Sequence, residues 1–181
     1  GLSSAPEMII IKNRESVKNW IVYHEGIDAS APQNYRIKLN ETTAREEQAG
    51  NGWNNTAPTS SVFSLGAGTW LNESGKDHIA YCFHSVSGYS KIASYSGSGV
   101  SGNTITTGFR PAFLLVKQTN ASGENWYIFD STRETLGELD TALKADESNA
   151  EATSSTKKVE FTDTGFKLNS TNSALNASGS T

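Results

Sequence analysis

Two stretches of the sequence share one pattern: Pro6-Glu7-Met8-Ile9-Ile10-Ile11-Lys12 and Pro111-Ala112-Phe113-Leu114-Leu115-Val116-Lys117. Each is a proline, a short apolar run and a lysine. The run has the length of a strand buried on both faces or leading into a core. The likeness continues in order: Asn19-Trp20-Ile21-Val22-Tyr23 matches Asn125-Trp126-Tyr127-Ile128-Phe129. Ile37-Lys38-Leu39 falls beside Thr141-Ala142-Leu143, and Val62-Phe63-Ser64-Leu65 beside Gly165-Phe166-Lys167-Leu168. Leu71-Asn72-Glu73-Ser74-Gly75 closes the series against Leu175-Asn176-Ala177-Ser178-Gly179. Matching order at a nearly constant offset is the mark of a tandem repeat. The expected domains are therefore residues 1–107, a first β-sandwich repeat, and 108–181, a second and incomplete one packed against it.

Composition agrees with short strands joined by turns. Ser, Thr, Asn and Gly number 24, 18, 15 and 16 among 181 residues, and these supply turns rather than helix interiors. The apolar residues come in compact alternating bursts, so the chain is read as an all-β, antiparallel sandwich or barrel. Expected strands are Met8 to Lys12, Trp20 to His24, Tyr35 to Leu39, Val62 to Leu65, His78 to Phe83, Tyr89 to Tyr95 and Asn103 to Thr107. Leu136, Leu139 and Leu143 have helical spacing, but the repeat favours a strand there. Gly97-Ser98-Gly99-Val100-Ser101-Gly102 is the one plausible linker between copies.

Several classes are disfavoured. A net charge of -4 without a basic block argues against nucleic acid as the main partner. No run of apolar residues is long enough for a membrane helix, and no signal peptide is visible. Cys82 is the single cysteine, so no intrachain disulfide is available. No phosphate-binding glycine loop or nucleophile elbow occurs. Glu46 and Glu47 are adjacent and would face opposite ways on a strand, unlike the carboxylate pair of a glycosidase. His78 and Cys82 lie too far apart along a strand to share one metal, and Cys82 with His84 supplies only two ligands. The expectation is no enzyme activity, no catalytic residue, no metal and no cofactor.

The tryptophans divide into two pairs. Trp20 and Trp126 hold equivalent places and read as core or sheet-packing residues. Trp53, in the polar stretch Gly50-Asn51-Gly52-Trp53-Asn54-Asn55-Thr56, and Trp70, at a turn, have no counterpart in the second copy. An aromatic face beside amide groups is what a sugar ring binds, which makes Trp53, Asn54, Asn55 and Trp70 the candidate carbohydrate site. Capping of the sandwich end and packing on another subunit are the competing roles for these rings.

The first copy continues through His78-Ile79-Ala80-Tyr81-Cys82-Phe83, whereas the second has no matching stretch. Two expectations follow: the sequence is a fragment of a longer chain, or a neighbouring subunit donates the strand.

With these motifs in view, the chain resembles the repeated concanavalin A-like jelly-roll modules of marine bacteriophage virion proteins, such as tail fibres and other appendages. The resemblance is carried by Pro6 to Arg14, by Asn19-Trp20 with Val22-Tyr23-His24, and by Trp53-Asn54-Asn55-Thr56-Ala57-Pro58-Thr59. It continues in Ser74 to Val86, in Gly88-Tyr89-Ser90-Lys91-Ile92 and in Thr107 to Phe113, and so covers almost the whole sequence. It implies a jelly-roll sandwich, a place on a virion appendage or extracellular surface, and a structural or adhesive role alongside copies of the same chain. A lectin-like module that recognises cell-surface polysaccharide is the alternative. The closely spaced acidic motif of the related glucanases is missing, so the resemblance transfers no catalytic residue.

Overall fold

A computed structural model describes residues 2–134 and 137–179. Leu136, at the start of the stretch with helical spacing, and the terminal Gly1 and Thr181 lie outside the described residues. The chain is nearly all β and antiparallel, and forms two compact units. One unit runs to Val86 and takes in Ser90–Ser94. The other takes in Ser87–Tyr89 and runs on from Tyr95.

In the first unit, β1 (Met8–Asn13), β2 (Ile21–His24), β3 (Tyr35–Lys38), β4 (Glu46–Glu47) and β5 (His78–Phe83) form one sheet. Their order is β4-β3-β2-β1-β5. The apolar run of β1 is continuous because β1 is central, paired with β2 on one side and β5 on the other. Ile9, Ile11, Ile21 and Tyr23 turn to one face and build a core with Trp53 and Leu71. Asn13 ends β1 fully buried, with both its amide oxygen and its amide nitrogen bonded. Its Oδ1 accepts the N–H groups of Glu15 and Ser16 at 2.9 and 2.8 Å, and its Nδ2 donates to Glu73 at 2.9 Å. This side-chain turn satisfies the backbone that leaves the ladder.

Two expected strands are absent from this unit. Val62 to Leu65 is irregular, because the Thr59 hydroxyl accepts the Ser61 and Val62 N–H groups at 3.3 and 3.1 Å and offers the backbone a local turn instead of a ladder. Phe63 and Leu65 still pack against the core. Tyr89 to Tyr95 is irregular too. Val86 and Ser90 exchange backbone hydrogen bonds around Gly88, and the Ser85 hydroxyl takes the Ile92 N–H at 3.0 Å.

At the end of β2, His24 Nδ1 accepts the Gly26 N–H at 3.0 Å, a role only an unprotonated nitrogen can fill. Burial pushes its pKa down, and the Glu7 carboxylate opposes that only in part. The unfolded chain therefore takes the proton first. Stability is full above the ordinary histidine value and falls as pH drops below it. Denaturant melts between about pH 8 and pH 5 are expected to show this loss, and His24→Gln should flatten it. An unchanged slope in His24→Gln would assign the titration to another group.

The second unit is a sandwich. It is built from β6 (Asn103–Thr106), β7 (Phe113–Val116), β8 (Tyr127–Asp130), β9 (Glu138–Leu139), β10 (Thr141–Lys144), β11 (Ala152–Thr153), β12 (Val159–Thr162) and β13 (Gly165–Leu168). A single helical turn, α1 (Ser173–Asn176), follows. One sheet runs β11-β10-β8-β7 and the other β6-β13-β12-β9. Val116, Tyr127, Phe129 and Ala142 from the first meet Leu139, Val159, Phe161, Phe166 and Leu168 from the second. Alternation along each strand sends these side chains inward and the polar ones out. Ala174 and Leu175 of α1 close the core. Tyr95 packs edge-on to Phe166 at 6.0 Å and donates to the Leu175 carbonyl at 2.7 Å. Glu138–Leu139 and Thr141–Lys144 are strands, so β pairing overrides the helical spacing of the leucines there.

The strand ending near Thr107 was expected to close the first copy. Instead β6 pairs with β13, Asn103 opposite Leu168 and Thr106 opposite Gly165. Gly165 is required by this pairing: a Cβ would lie 2.0 Å from the Ile105 carbonyl oxygen.

Candidate functional site

The four residues expected to hold a sugar do not form one surface. Trp53 is 1% exposed, donates its indole N–H to the Tyr35 carbonyl at 3.0 Å and packs edge-on to Tyr23 at 5.5 Å. It is a core residue and offers no free face for stacking. Asn54 and Asn55 follow at positive φ (53° and 49°), exposed on the turn that returns the chain from the core. Trp70 is half-buried, and one of its faces is covered by the Arg36 guanidinium 4.1 Å from the ring centroid. Its ring lies so close to Gly68 that any Cβ there would overlap it. Arg36 is itself held by Glu46 at 2.8 Å. Burial opposes charge on Glu46, but hydrogen bonds from Lys38 and Arg36 outweigh it and keep the carboxyl below its usual range. Glu46 is thus the anchor of an ion-pair group with Arg36, Lys38 and Glu41.

The histidines and the cysteine in and just after β5 are also apart in role. His78 bonds the Lys76 carbonyl at 3.0 Å, and His84 bonds that of Ser85 at 2.8 Å. Cys82 packs against the first unit's core, where burial pushes its thiol pKa up. Among the described residues no three His, Cys, Asp or Glu side chains come together as a metal-binding group.

A different surface stands out, at the sheet edges. Each sheet edge leaves one side of its backbone without a strand partner, and proteins usually blunt such edges with short length, charge or proline. Among the described residues, four of the six edge strands are short or polar: Glu46–Glu47, Ala152–Thr153, Glu138–Leu139 and the Asn-Thr-Ile-Thr strand β6. The other two, β5 (HIAYCF) and β7 (FLLV), carry no Asp, Glu, Lys or Arg. On β5, Ile79, Tyr81 and Phe83 alternate onto the face away from the core and are 38%, 44% and 40% exposed. Tyr81 stacks on Trp20 at 6.5 Å. On β7, Phe113 is 58% exposed, and Leu114 and Leu115 are half-buried.

The two edges are related by pairing. β1 has its hairpin partner β2 on one side and β5 on the other. β7 has its partner β8 on one side and, among the described residues, no strand on the other. With β5 in place, Ile9 and Ile11 are sealed to 0% and 1%. Leu114, one residue into β7 as Ile9 is into β1, stays partly open. The sequence showed the alternation of β5, but not that both strands would lie at edges, since edge position depends on pairing with distant segments.

No curated protein and no solved structure matches the chain significantly. A family profile described as a domain of unknown function, DUF7483, matches residues 1–181, and the chain belongs to that family.

Proposed function

We propose that the chain is a non-enzymatic structural and adhesion module that works by assembling with other copies of itself. The observation that carries this reading is the pair of uncharged apolar edge strands, β5 and β7, in a protein whose other edges are short or polar. Edges of that kind template association with another chain. The two sheets β4-β3-β2-β1-β5 and β11-β10-β8-β7 share one order of pairing, which supports duplication of a single sheet-forming segment. The sequence resemblance to jelly-roll modules of phage appendages supports a place on a virion surface, where a repeated module serves as a building block. The carbohydrate-binding alternative has weaker support, because Trp53 is sealed in the core and only Trp70, Asn54 and Asn55 reach the surface.

Analytical ultracentrifugation over a wide concentration range tests the proposal, with a bacterial glycan array run on the same sample. The expected result is reversible self-association and no glycan that Trp70→Ala specifically loses. A protein that stays monomeric at every concentration and binds a glycan through Trp70 would overturn it.

A further inference from the structure

We propose that residues 85–94 form a pH-sensitive latch, released when His24 takes a proton. The segment is anchored at both ends, and His24 bears on each anchor. At the first, the Glu7 carboxylate accepts the backbone N–H of Ser85 at 2.7 Å and the Ser85 hydroxyl as well. That hydroxyl in turn accepts the Ile92 N–H at 3.0 Å, so one carboxylate holds the start of the segment and, through it, the return. At the second anchor, Ser94 rests on Gly26. A Cβ on Gly26 would lie 2.7 Å from the Cβ of Ser94. Gly26 belongs to the single helical turn Glu25–Ile27, whose cap is the His24 side chain.

The unprotonated ring accepts the Gly26 N–H through Nδ1 at 3.0 Å. A protonated ring sets N–H against N–H there, and the turn beneath Ser94 loses its cap. The new charge also draws on Glu7, the carboxylate whose field reaches His24, in competition with Ser85. Both anchors therefore loosen together. The neighbouring charges have other ties. The Glu25 N–H is bound to the Glu7 carbonyl at 2.8 Å, Asp28 pairs with Arg45 at 3.2 Å, and Lys91, the charged residue of the segment, is exposed. His84 bonds the Ser85 carbonyl at 2.8 Å through Nδ1, and as a donor there it keeps that bond in either charge state. Burial disfavours the charged ring in the closed form, so the open form takes the proton first and gains population as pH falls.

Native-state hydrogen exchange on the full chain between about pH 7 and pH 5 tests the latch, read as protection factors so that the intrinsic pH dependence of exchange is removed. The amides of Gly26, Ser85 and Ile92 are expected to lose protection together, approaching about tenfold per pH unit below the ordinary histidine value. The amides of β1 are expected to lose less over the same range. His24→Asn places an acceptor oxygen near the position of Nδ1 but does not titrate, and it should hold all three protections constant. Glu7→Gln keeps an acceptor for Ser85 without the charge. It should leave the pH dependence at Gly26 and reduce it at Ser85 and Ile92.

A pH dependence unchanged in His24→Asn would overturn the proposal. So would protection lost at Gly26 alone, which would make His24 a cap and nothing more. Equal losses in β1 and in the segment would indicate global unfolding instead of a local release. Should His24→Asn fail to fold by near-UV circular dichroism, the wild-type chain still decides. The Ser85 and Ile92 amide resonances must then shift with the midpoint of the His24 imidazole, and a different midpoint would overturn the coupling.

Discussion

Trp53→Ala is expected to lower the stability of the first unit by about 3–5 kcal/mol, the usual cost of emptying a buried large aromatic site. The ring is 1% exposed and touches a core whose other members, Ile9, Ile11, Ile21, Tyr23 and Leu71, come from three separate segments. The indole N–H also holds the Tyr35 carbonyl at 3.0 Å, so Trp53→Phe keeps most of the packing and loses about 1–3 kcal/mol from the orphaned acceptor. Urea unfolding followed by near-UV circular dichroism should rank wild type, Trp53→Phe and Trp53→Ala in that order. A Trp53→Ala protein as stable as wild type would mean that the ring is not a core element.

The second large effect concerns Asn176, at the end of α1. It is 0% exposed and makes five hydrogen bonds through one amide. Its Oδ1 accepts from Ser98 N at 2.8 Å, Ser98 Oγ at 3.2 Å and Asn103 Nδ2 at 3.0 Å. Its Nδ2 donates to the carbonyls of Val100 and Ser170 at 2.7 and 2.8 Å. One side chain thus ties α1 to the 98–103 turn, and through Asn103 to the first residue of β6. Asn176→Ala strands several of these groups at once, and at about 1–3 kcal/mol for each buried group left unpaired the loss should exceed about 3 kcal/mol. Asn176→Asp is expected to be damaging too, because it loses both donors and buries a charge. Hydrogen exchange should show protection lost at β6 and the 98–103 turn. Exchange unchanged there would show that the network carries little of the stability.

Much of the fold was legible because strand alternation is a local property. The apolar runs around Ile9, Ile11, Tyr127 and Phe129 mark their strands, but an unbroken run does not say which side chains turn inward. The second layer of the first unit was not legible. There Phe63 and Leu65 reach the core from an irregular segment, and a threonine turn wins over the ladder that the apolar run suggested. The candidate site was misread at Trp53 for a related reason. A tryptophan set among Gly50, Asn51, Gly52, Asn54 and Asn55 has the surroundings of a surface loop. The positive φ angles at Ala49, Gly50, Asn54 and Asn55 turn the backbone on both sides of it and carry the ring inward. The signal lay in those turn-forming residues bracketing one large ring, and it does not identify the distant Tyr35 carbonyl that receives the indole. The partners of Asn176 are too far away in sequence to be inferred from spacing.

The pairing of β6 with β13 has a consequence for the order in which the molecule is made. Asn103 finds its partner only at Leu168, and Thr106 only at Gly165. The strand that leads the second unit off the ribosome must wait, unpaired, until nearly the whole of that unit has been synthesised. The first unit closes likewise when β5 reaches β1, Met8 opposite Phe83, but its last strand emerges before β6 does. Vectorial synthesis therefore lets the first unit reach its native ladder while the second is still a nascent chain, and long-range closure of this kind is slow. The polar sequence Asn103-Thr104-Ile105-Thr106 suits that wait, since it holds a single large apolar side chain while it lacks a partner.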